Sequence, residues 1–412
     1  MMEANVRKLS IFTLFGGAMI GLTACGGGGG GSSESSDPYQ PSTGRVSVSV
    51  TQKTPGLVEV RVTNISSTNS SKLWFSMVDS NNYYYSNIGQ NLPNVCNGDD
   101  ILRPSEYCYI DIYPISRTVP TGLSKLNYID NNIHLNHVFS ITNSSQVFNY
   151  NFELTGVLYA LTDNNVIFEK NHASPVWNSD QVKLANSTIV SALTTDYKGA
   201  VVIANAMDGH VYLQTDYATK AWNDLGKVIA TTNTINTIAY DKGNGLYAAG
   251  NSNVIYRRDY ATKLWVTADS LPLSVTSINN IGFINNDWIA QVNNGSAPTF
   301  YRRSLNIWSN IGMPAPADVL GFSVSTNGKI YSSLRGIART YSNDGAWSAG
   351  DAFTPAVEAQ SLFTDSHGNL FAGDGNSVYQ KLVGGAWVNI GTPDGYAIKA
   401  ITQGVRLTIT GG

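Results

Sequence analysis

Six tryptophans recur along the second part of the chain, at Trp177, Trp222, Trp265, Trp308, Trp347 and Trp387, with separations of 45, 43, 43, 39 and 40 residues. A period near forty marks one repeated supersecondary unit, which constrains a fold more than any local propensity does. The clearest pair is Asp216-Tyr217-Ala218-Thr219-Lys220-Ala221-Trp222 against Asp259-Tyr260-Ala261-Thr262-Lys263-Leu264-Trp265. Before each Trp lies a short strand, aromatic in five copies: Val166-Ile167-Phe168, Val211-Tyr212, Val254-Ile255-Tyr256, Phe300-Tyr301 and Val378-Tyr379. The fifth copy departs, with Ile337-Ala338-Arg339. Before that comes a strand usually opened by Gly, such as Gly245-Leu246-Tyr247-Ala248-Ala249, and earlier still an apolar one such as Ile235-Asn236-Thr237-Ile238-Ala239.

Each unit therefore reads as four short strands, and a sheet that small cannot bury both faces alone. The units must stack on one another around an axis, which predicts an all-β fold ending in a β-propeller over residues 151–412. An open solenoid of sheets is the alternative. Ala397-Ile398-Lys399-Ala400-Ile401 supplies an extra first strand and Val405-Arg406-Leu407-Thr408-Ile409-Thr410 a further β segment, so the C-terminal stretch is expected to complete the first blade and close the ring. Six blades follow, or seven if that stretch and Phe148–Phe152 form a composite blade. Six equivalent indoles are expected to pack between blades, since every blade has the same neighbour to bury. The other reading is a set of sugar platforms, as in tectonin-type lectins.

Residues 43–150 have a different rhythm. Val46-Ser47-Val48-Ser49-Val50, Val58-Glu59-Val60-Arg61-Val62, Tyr109-Ile110-Asp111-Ile112-Tyr113 and His137-Val138-Phe139-Ser140-Ile141 alternate apolar with polar. Period two puts one face in a core and the other in water, and about a hundred such residues predict a two-sheet sandwich of immunoglobulin type. Cys96 and Cys108 are the only cysteines besides Cys25. In an oxidising compartment they are expected to pair, closing a short loop worth about 3 kcal/mol in the chain-entropy model; two free thiols are the alternative. Cys96, then Leu102-Arg103-Pro104-Ser105-Glu106-Tyr107-Cys108 running into Tyr109 to Pro114, resembles bacterial surface immunoglobulin-like domains, with Ser105 where Gly is usual. The resemblance spans residues 43–150 and implies a spacer or adhesion module. Tyr83-Tyr84-Tyr85 reads either as a surface anchor or as ordinary packing.

Residues 1–24 carry Arg7 and Lys8, an apolar run from Leu9 to Leu22, and small residues before Cys25, the pattern of an export signal. The run is short for a spanning helix, which needs about 20 residues. Leu22-Thr23-Ala24-Cys25 resembles the lipobox of bacterial lipoproteins. That resemblance implies removal of residues 1–24 and acylation of Cys25 by a diacylglyceryl thioether and an N-acyl chain of palmitate type, enough chains for lasting attachment. Gly26, where Asp signals inner-membrane retention, implies the bacterial outer membrane, with the leaflet open. Residues 25–42, opening with Gly26 to Gly31 and Ser32-Ser33-Glu34-Ser35-Ser36, read as a tether with a reach of roughly 20–25 Å.

Composition narrows the function. The chain carries 26 basic and 29 acidic residues with no polybasic run, which argues against nucleic acid as a partner. His134-Leu135-Asn136-His137 lacks further ligands nearby, Asp99-Asp100 and Asp374-Gly375-Asn376 are too thin for calcium, and no glycine-rich stretch has phosphate-loop order, so no metal or cofactor is expected. Ser342-Asn343-Asp344-Gly345-Ala346-Trp347 resembles a degenerate Asp box of sialidase-like propellers, one residue short, a turn that in that family lies away from catalysis. Sialidases clamp a carboxylate with three arginines and use a Tyr-Glu couple with an Asp acid/base. Here Arg257-Arg258 and Arg302-Arg303 occupy one place in successive repeats, where other copies carry Glu169-Lys170 or Gln380-Lys381, which reads as a solvated strand edge. Arg335 and Arg339 are the other candidates, and Glu153, Glu169 and Glu358 are the only glutamates after residue 150. The expectation is no catalytic residue and no enzyme, with a glycoside hydrolase or lyase as the alternative. The chain then reads as a lipid-anchored envelope scaffold that binds a protein partner through its propeller. Its layout resembles propeller lipoproteins of outer-membrane machinery, and a secretion complex fits equally; glycan binding is the rival.

Overall fold

The computed structural model describes residues 44–411 apart from 79–83, 88–91, 99, 115–132, 144–145, 172–173, 180–187, 197, 217–218, 229–233, 242, 285–286, 295–297, 314–320, 326–327, 335–336, 342–345, 349–350, 353–358 and 366–367. The expected signal, Cys25 and the tether lie outside the described residues, which contain strands and no helix.

The N-terminal region is two facing sheets. Strands β1 (Val46–Thr54), β2 (Leu57–Asn64), β4 (Tyr84–Ser86) and β5 (Tyr107–Pro114) make one, in the order β1-β2-β5-β4. The other contains β3 (Leu73–Val78), β6 (Ile133–Asn143), β7 (Gln146–Thr162) and a C-terminal strand, β29 (Ile398–Gly411), in the order β29-β7-β6-β3. Alternation works as expected: Val58, Val60, Val62, Ile110 and Ile112 point inward and meet Leu73, Ile141, Tyr150 and Leu407 of the second sheet in one buried cluster. Cys96 and Cys108 are bonded inside it, with Cα atoms 4.9 Å apart.

Six blades follow. In the first, β7 pairs with β29 on one side and β8 (Ile167–Asn171) on the other, and Glu169 bridges to Asn178 beside Trp177. Blade two is β9 (Val190–Thr195), β10 (Val201–Asn205), β11 (His210–Asp216) and β12 (Ala221–Lys227); blade three is β13 (Ile235–Tyr240), β14 (Leu246–Gly250), β15 (Val254–Arg258) and β16 (Trp265–Ser270). Blade four is β17 (Ser277–Ile284), β18 (Asp287–Asn293), β19 (Pro298–Ser304) and β20 (Ile307–Gly312); blade five is β21 (Gly321–Val324), β22 (Ile330–Leu334), β23 (Ile337–Tyr341) and β24 (Asp351–Ala352). Blade six is β25 (Ala359–Thr364), β26 (Leu370–Asp374), β27 (Ser377–Lys381) and β28 (Trp387–Asn389). The inner strands touch in the order β9, β13, β17, β21, β25, β29 and back to β9, so the ring closes with six blades.

The two regions share covalent strands. β7 pairs with β6 through residues 146–154 and with β8 through 157–161, while β29 follows it from Ile398↔Thr162 to Gly411↔Tyr150. The boundary expected at 150/151 thus falls inside one strand, and residues 405–411 return from the wheel to the sandwich sheet. A second contact stiffens the joint. The β1–β2 turn lies on the first turn of blade two, where Gly56 N donates to Lys198 O at 2.7 Å, Thr54 Oγ1 donates to the same oxygen at 2.9 Å, and Leu407 N donates to Pro55 O at 2.6 Å. Gly199 has φ +71°, and a Cβ there would sit 2.1 Å from Val405 O, so only glycine permits this approach. Lys198 Nζ stands 4.1 Å from the Tyr113 ring centre. Burial, then the nearby Glu59 charge, push the Asp111 carboxyl above its ordinary range here, against the pull of Lys198 and Lys53.

Candidate functional site

Each inner strand of blades two to six has one hydrogen-bonded neighbour within its blade, which leaves the other edge, with its backbone N–H and C=O groups, toward the axis. The inner strands of all six blades line a channel cavity of about 410 Å³. Hydroxyls from neighbouring blades satisfy part of that edge. Thr195 Oγ1 donates to Gln403 O at 2.7 Å, Ile281 N donates to Thr237 Oγ1 at 3.3 Å, and Ser333 Oγ accepts from Gly321 N and donates to Ala359 O, both at 2.6 Å. Part of the chain's Ser and Thr content is used in this way, on groups that would be costly to bury unpaired.

At the mouth next to the sandwich, inner strands end in one repeated turn. Asp196 Oδ1 accepts from Lys198 N and Ala200 N at 2.9 and 2.8 Å, Asp241 Oδ1 from Gly245 N at 2.7 Å, and Asp365 Oδ1 from Asn369 N at 2.9 Å. Ser325 Oγ accepts from Lys329 N at 3.3 Å in the same role. Gly199, Asn244, Gly328 and Gly368 carry the positive φ that closes each turn. These carboxylates are engaged in shaping hairpins. Tyr247 OH donates to Asp241 Oδ2 at 3.0 Å, and burial, followed by the Asp241 charge, pushes the phenol up to about 12.

The opposite mouth is formed by the beginnings of the inner strands: Ser191, Asn236, Ser277, Asn280, Gln360 and Lys399. Asn236 Nδ2 stands 3.1 Å from each of three acceptors, Asn251 Oδ1, Ser277 Oγ and Ile278 O, which share its two hydrogens and tie blades three and four together. Ser277 Oγ donates to Asn279 Oδ1 at 3.0 Å and Asn280 Nδ2 to Gln291 Oε1 at 2.7 Å. On the blade-one side, Lys399 Nζ lies 3.4 Å from Asp163 Oδ1, and Asn164 Nδ2 donates to Asp394 Oδ2 at 2.8 Å. Except on the blade-one side, where the Lys399–Asp163 ion pair and the Asp394 carboxylate stand, the rim of this mouth is neutral amide and hydroxyl. Such groups both donate and accept, which suits the backbone of an extended peptide or the hydroxyls of a sugar. Among the described residues, no group of three or more His, Cys, Asp or Glu is placed to hold a metal ion.

The predicted residues fall as follows. Every indole packs with the blade before its own: Trp222 with Tyr159 and Leu161, Trp265 with Val202 and Val211, Trp308 with Tyr247 and Ile255. Trp347 meets Ile289 and Phe300, Trp387 meets Tyr331, and Trp177 meets Phe371 and Val378 across the ring closure. Trp265, 2% exposed, also donates from Nε1 to Gly226 O at 3.2 Å. The reading of both arginine pairs as a solvated edge is corrected: Arg257 is exposed, but alternation turns Arg258 into the blade interface, where it is buried, and Arg302 and Arg303 pair with Asp287 and Asp269. Arg339 Nη1 donates to Ser348 O at 2.9 Å. Arg335, Tyr83, Asp99 and the Ser342–Gly345 turn lie outside the described residues, as do the side chains of Tyr84, Tyr85, His134 and His137. Sequence reasoning missed the amide mouth, whose residue types occur throughout the chain. It also missed the turn motif, whose signal was present as Asp or Ser three or four positions ahead of the strand-opening Gly or Asn.

The fold is that of a six-bladed β-propeller carried on a small two-sheet region. No protein-family model matches the chain, and no curated protein matches it by sequence. Solved structures similar to it are propellers. Virginiamycin B lyase from Staphylococcus aureus is 12% identical at a TM-score of 0.40, covering 58% of this chain and 73% of that one. The gluconolactonase XC5397 from Xanthomonas campestris is 14% identical at 0.44, covering 61% and 94%. A chain of a nidogen/laminin complex is 10% identical at 0.47, covering 60% and 98%. These similarities concern the fold. They also correct the expectation that the chain is not an enzyme: a lyase and a gluconolactonase are among the propellers it is similar to, so the non-enzymatic reading is dropped.

Proposed function

We propose that this chain is an envelope interaction protein that offers the amide-rich mouth of its propeller to an extended polypeptide segment of a protein partner. Acylated Cys25 and the residue 25–42 tether would hold it at the bacterial outer membrane, with the immunoglobulin-type sandwich as spacer. The observation that carries the reading is the neutral rim built by Ser191, Asn236, Ser277, Asn280 and Gln360 around a channel lined by strand edges. Amides arranged this way exchange water for backbone hydrogen bonds with little desolvation penalty, whereas the opposite mouth has its carboxylates committed to turns. Photo-crosslinking from Ser191 and Gln360 in intact cells tests the reading. The expected result is a discrete polypeptide adduct that a crosslinker at Lys198 does not give. Saturable binding of an oligosaccharide at the same mouth, with no polypeptide adduct, overturns it in favour of glycan recognition.

A further inference from the structure

The arginines expose an asymmetry between blades. On the third strand of three blades a cation stands directly across from the blade tryptophan: Arg258 opposite Trp265, Arg303 opposite Trp308 and Lys381 opposite Trp387. Arg303 has a carboxylate in direct contact, for it forms an ion pair with Asp269 on the outermost strand of the preceding blade, four residues after Trp265. Arg258 occupies the same place one blade earlier. It is 6% exposed, and its Nη1 is buried with no hydrogen-bond partner.

The missing partner can be located. Counting four residues on from Trp222 reaches Gly226, so the site equivalent to Asp269 has no side chain. Gly226 is half-exposed, with φ +91°, and the space a Cβ would enter is open. The acids whose fields reach Arg258 are engaged elsewhere. Asp224 holds His210 Nδ1 at 2.9 and 3.0 Å and Gly226 N at 2.7 Å, and Asp259 accepts from Ala261 N and Thr262 N at 2.8 and 3.2 Å. A guanidinium cannot relieve its burial by losing a proton; Asp224 and Asp259 offset its charge through space, but the buried Nη1 is left without a direct acceptor, which is unfavourable.

We propose that the gap between blades two and three, beside Gly226, is a binding site for a carboxylate from outside the chain, held by Arg258 in the fork geometry that guanidinium and carboxylate share. The inference is independent of the channel-mouth reading, because the site lies between blades and away from the axis. The carboxylate comes either from a small free acid or from an acidic side chain of a partner.

Thermal unfolding of the mature chain, with sodium acetate replacing sodium chloride at constant ionic strength, tests the proposal. The wild type is expected to gain melting temperature saturably with acetate, whereas Arg258→Met gains nothing and in chloride melts no lower than the wild type, having lost a buried donor with no acceptor. A blocked peptide with a single Glu, compared with its Gln twin, separates the sources: tighter binding of the Glu peptide than of acetate assigns the site to a partner side chain, and equal binding assigns it to free acids. Identical acetate responses in wild type and Arg258→Met, or no response in either, overturn the proposal. Should Arg258→Met not fold, arginine Nε resonances of the wild type decide instead, since the proposal requires a saturable acetate shift confined to one arginine.

Discussion

The two mouths of the propeller use similar residue types for opposite ends. Next to the sandwich, Asp196, Asp241, Ser325 and Asp365 turn back onto the backbone of their own hairpins, and the β1–β2 turn rests on one of them at Gly199. At the other mouth, Asn236 reaches across to Ser277 of the next blade, Ser277 and Asn280 bond Asn279 and Gln291 within their own blade, and amide and hydroxyl capacity is left at the rim. Polar side chains near a channel are therefore not evidence of a site in themselves. What separates structure from recognition is whether their hydrogen bonds are consumed by the turn that carries them.

That contrast can be broken by experiment. The largest effect is expected from removing residues 405–411, which takes Leu407 and Ile409 out of the sandwich core and detaches the strand that ties it to blade one; thermal unfolding should lose its single cooperative transition, and limited proteolysis should cut in the sandwich. Trp265→Ala, which empties an inter-blade cluster and orphans Gly226 O, should cost about 3–5 kcal/mol in denaturant unfolding. Asp241→Ala should cost about 2 kcal/mol, since Gly245 N and Tyr247 OH both lose an acceptor. The same turn predicts alkaline behaviour. With the Tyr247 phenol at about 12 against an ordinary 10, its contribution is complete below pH 10 and is lost as pH rises from 10 through 12; Tyr247→Phe should flatten that limb of a stability-pH curve. Asn279→Ala should change stability by about 0.5 kcal/mol or less while reducing partner crosslinking from Ser191. If it costs as much as Asp241→Ala, the two mouths are equally structural and the contrast fails.

Much of the architecture was legible because it repeats. The Trp period defined the blades, and Ala397 to Ile401, read as a first strand for the first blade, is where β29 begins its pairing with Leu161 and Thr162. The join between regions was not legible. β7 alternates without a break through residue 150, and Gly156, which stands where its partners change from β6 to β8, reads as the opening of a repeat strand and not as the middle of one continuous strand. Alternation alone would have placed Arg257 and Arg258 on opposite faces, yet their shared charge drew both to solvent. The channel mouth was hidden for a different reason: Asn, Ser and Thr are common all along the chain, and only three-dimensional closure selects the few that face the axis.

Sharing β29 between the sandwich and the wheel also sets the order in which a nascent chain can mature. Residues 44–155 are made early, but their second sheet lacks its outermost strand, and their core lacks Leu407, until residues 405–411 have been synthesised, some two hundred and fifty positions later. Through that interval the chain carries an incomplete β edge of the kind chaperones recognise and neighbouring molecules pair with. Both regions are completed together, late, by one segment.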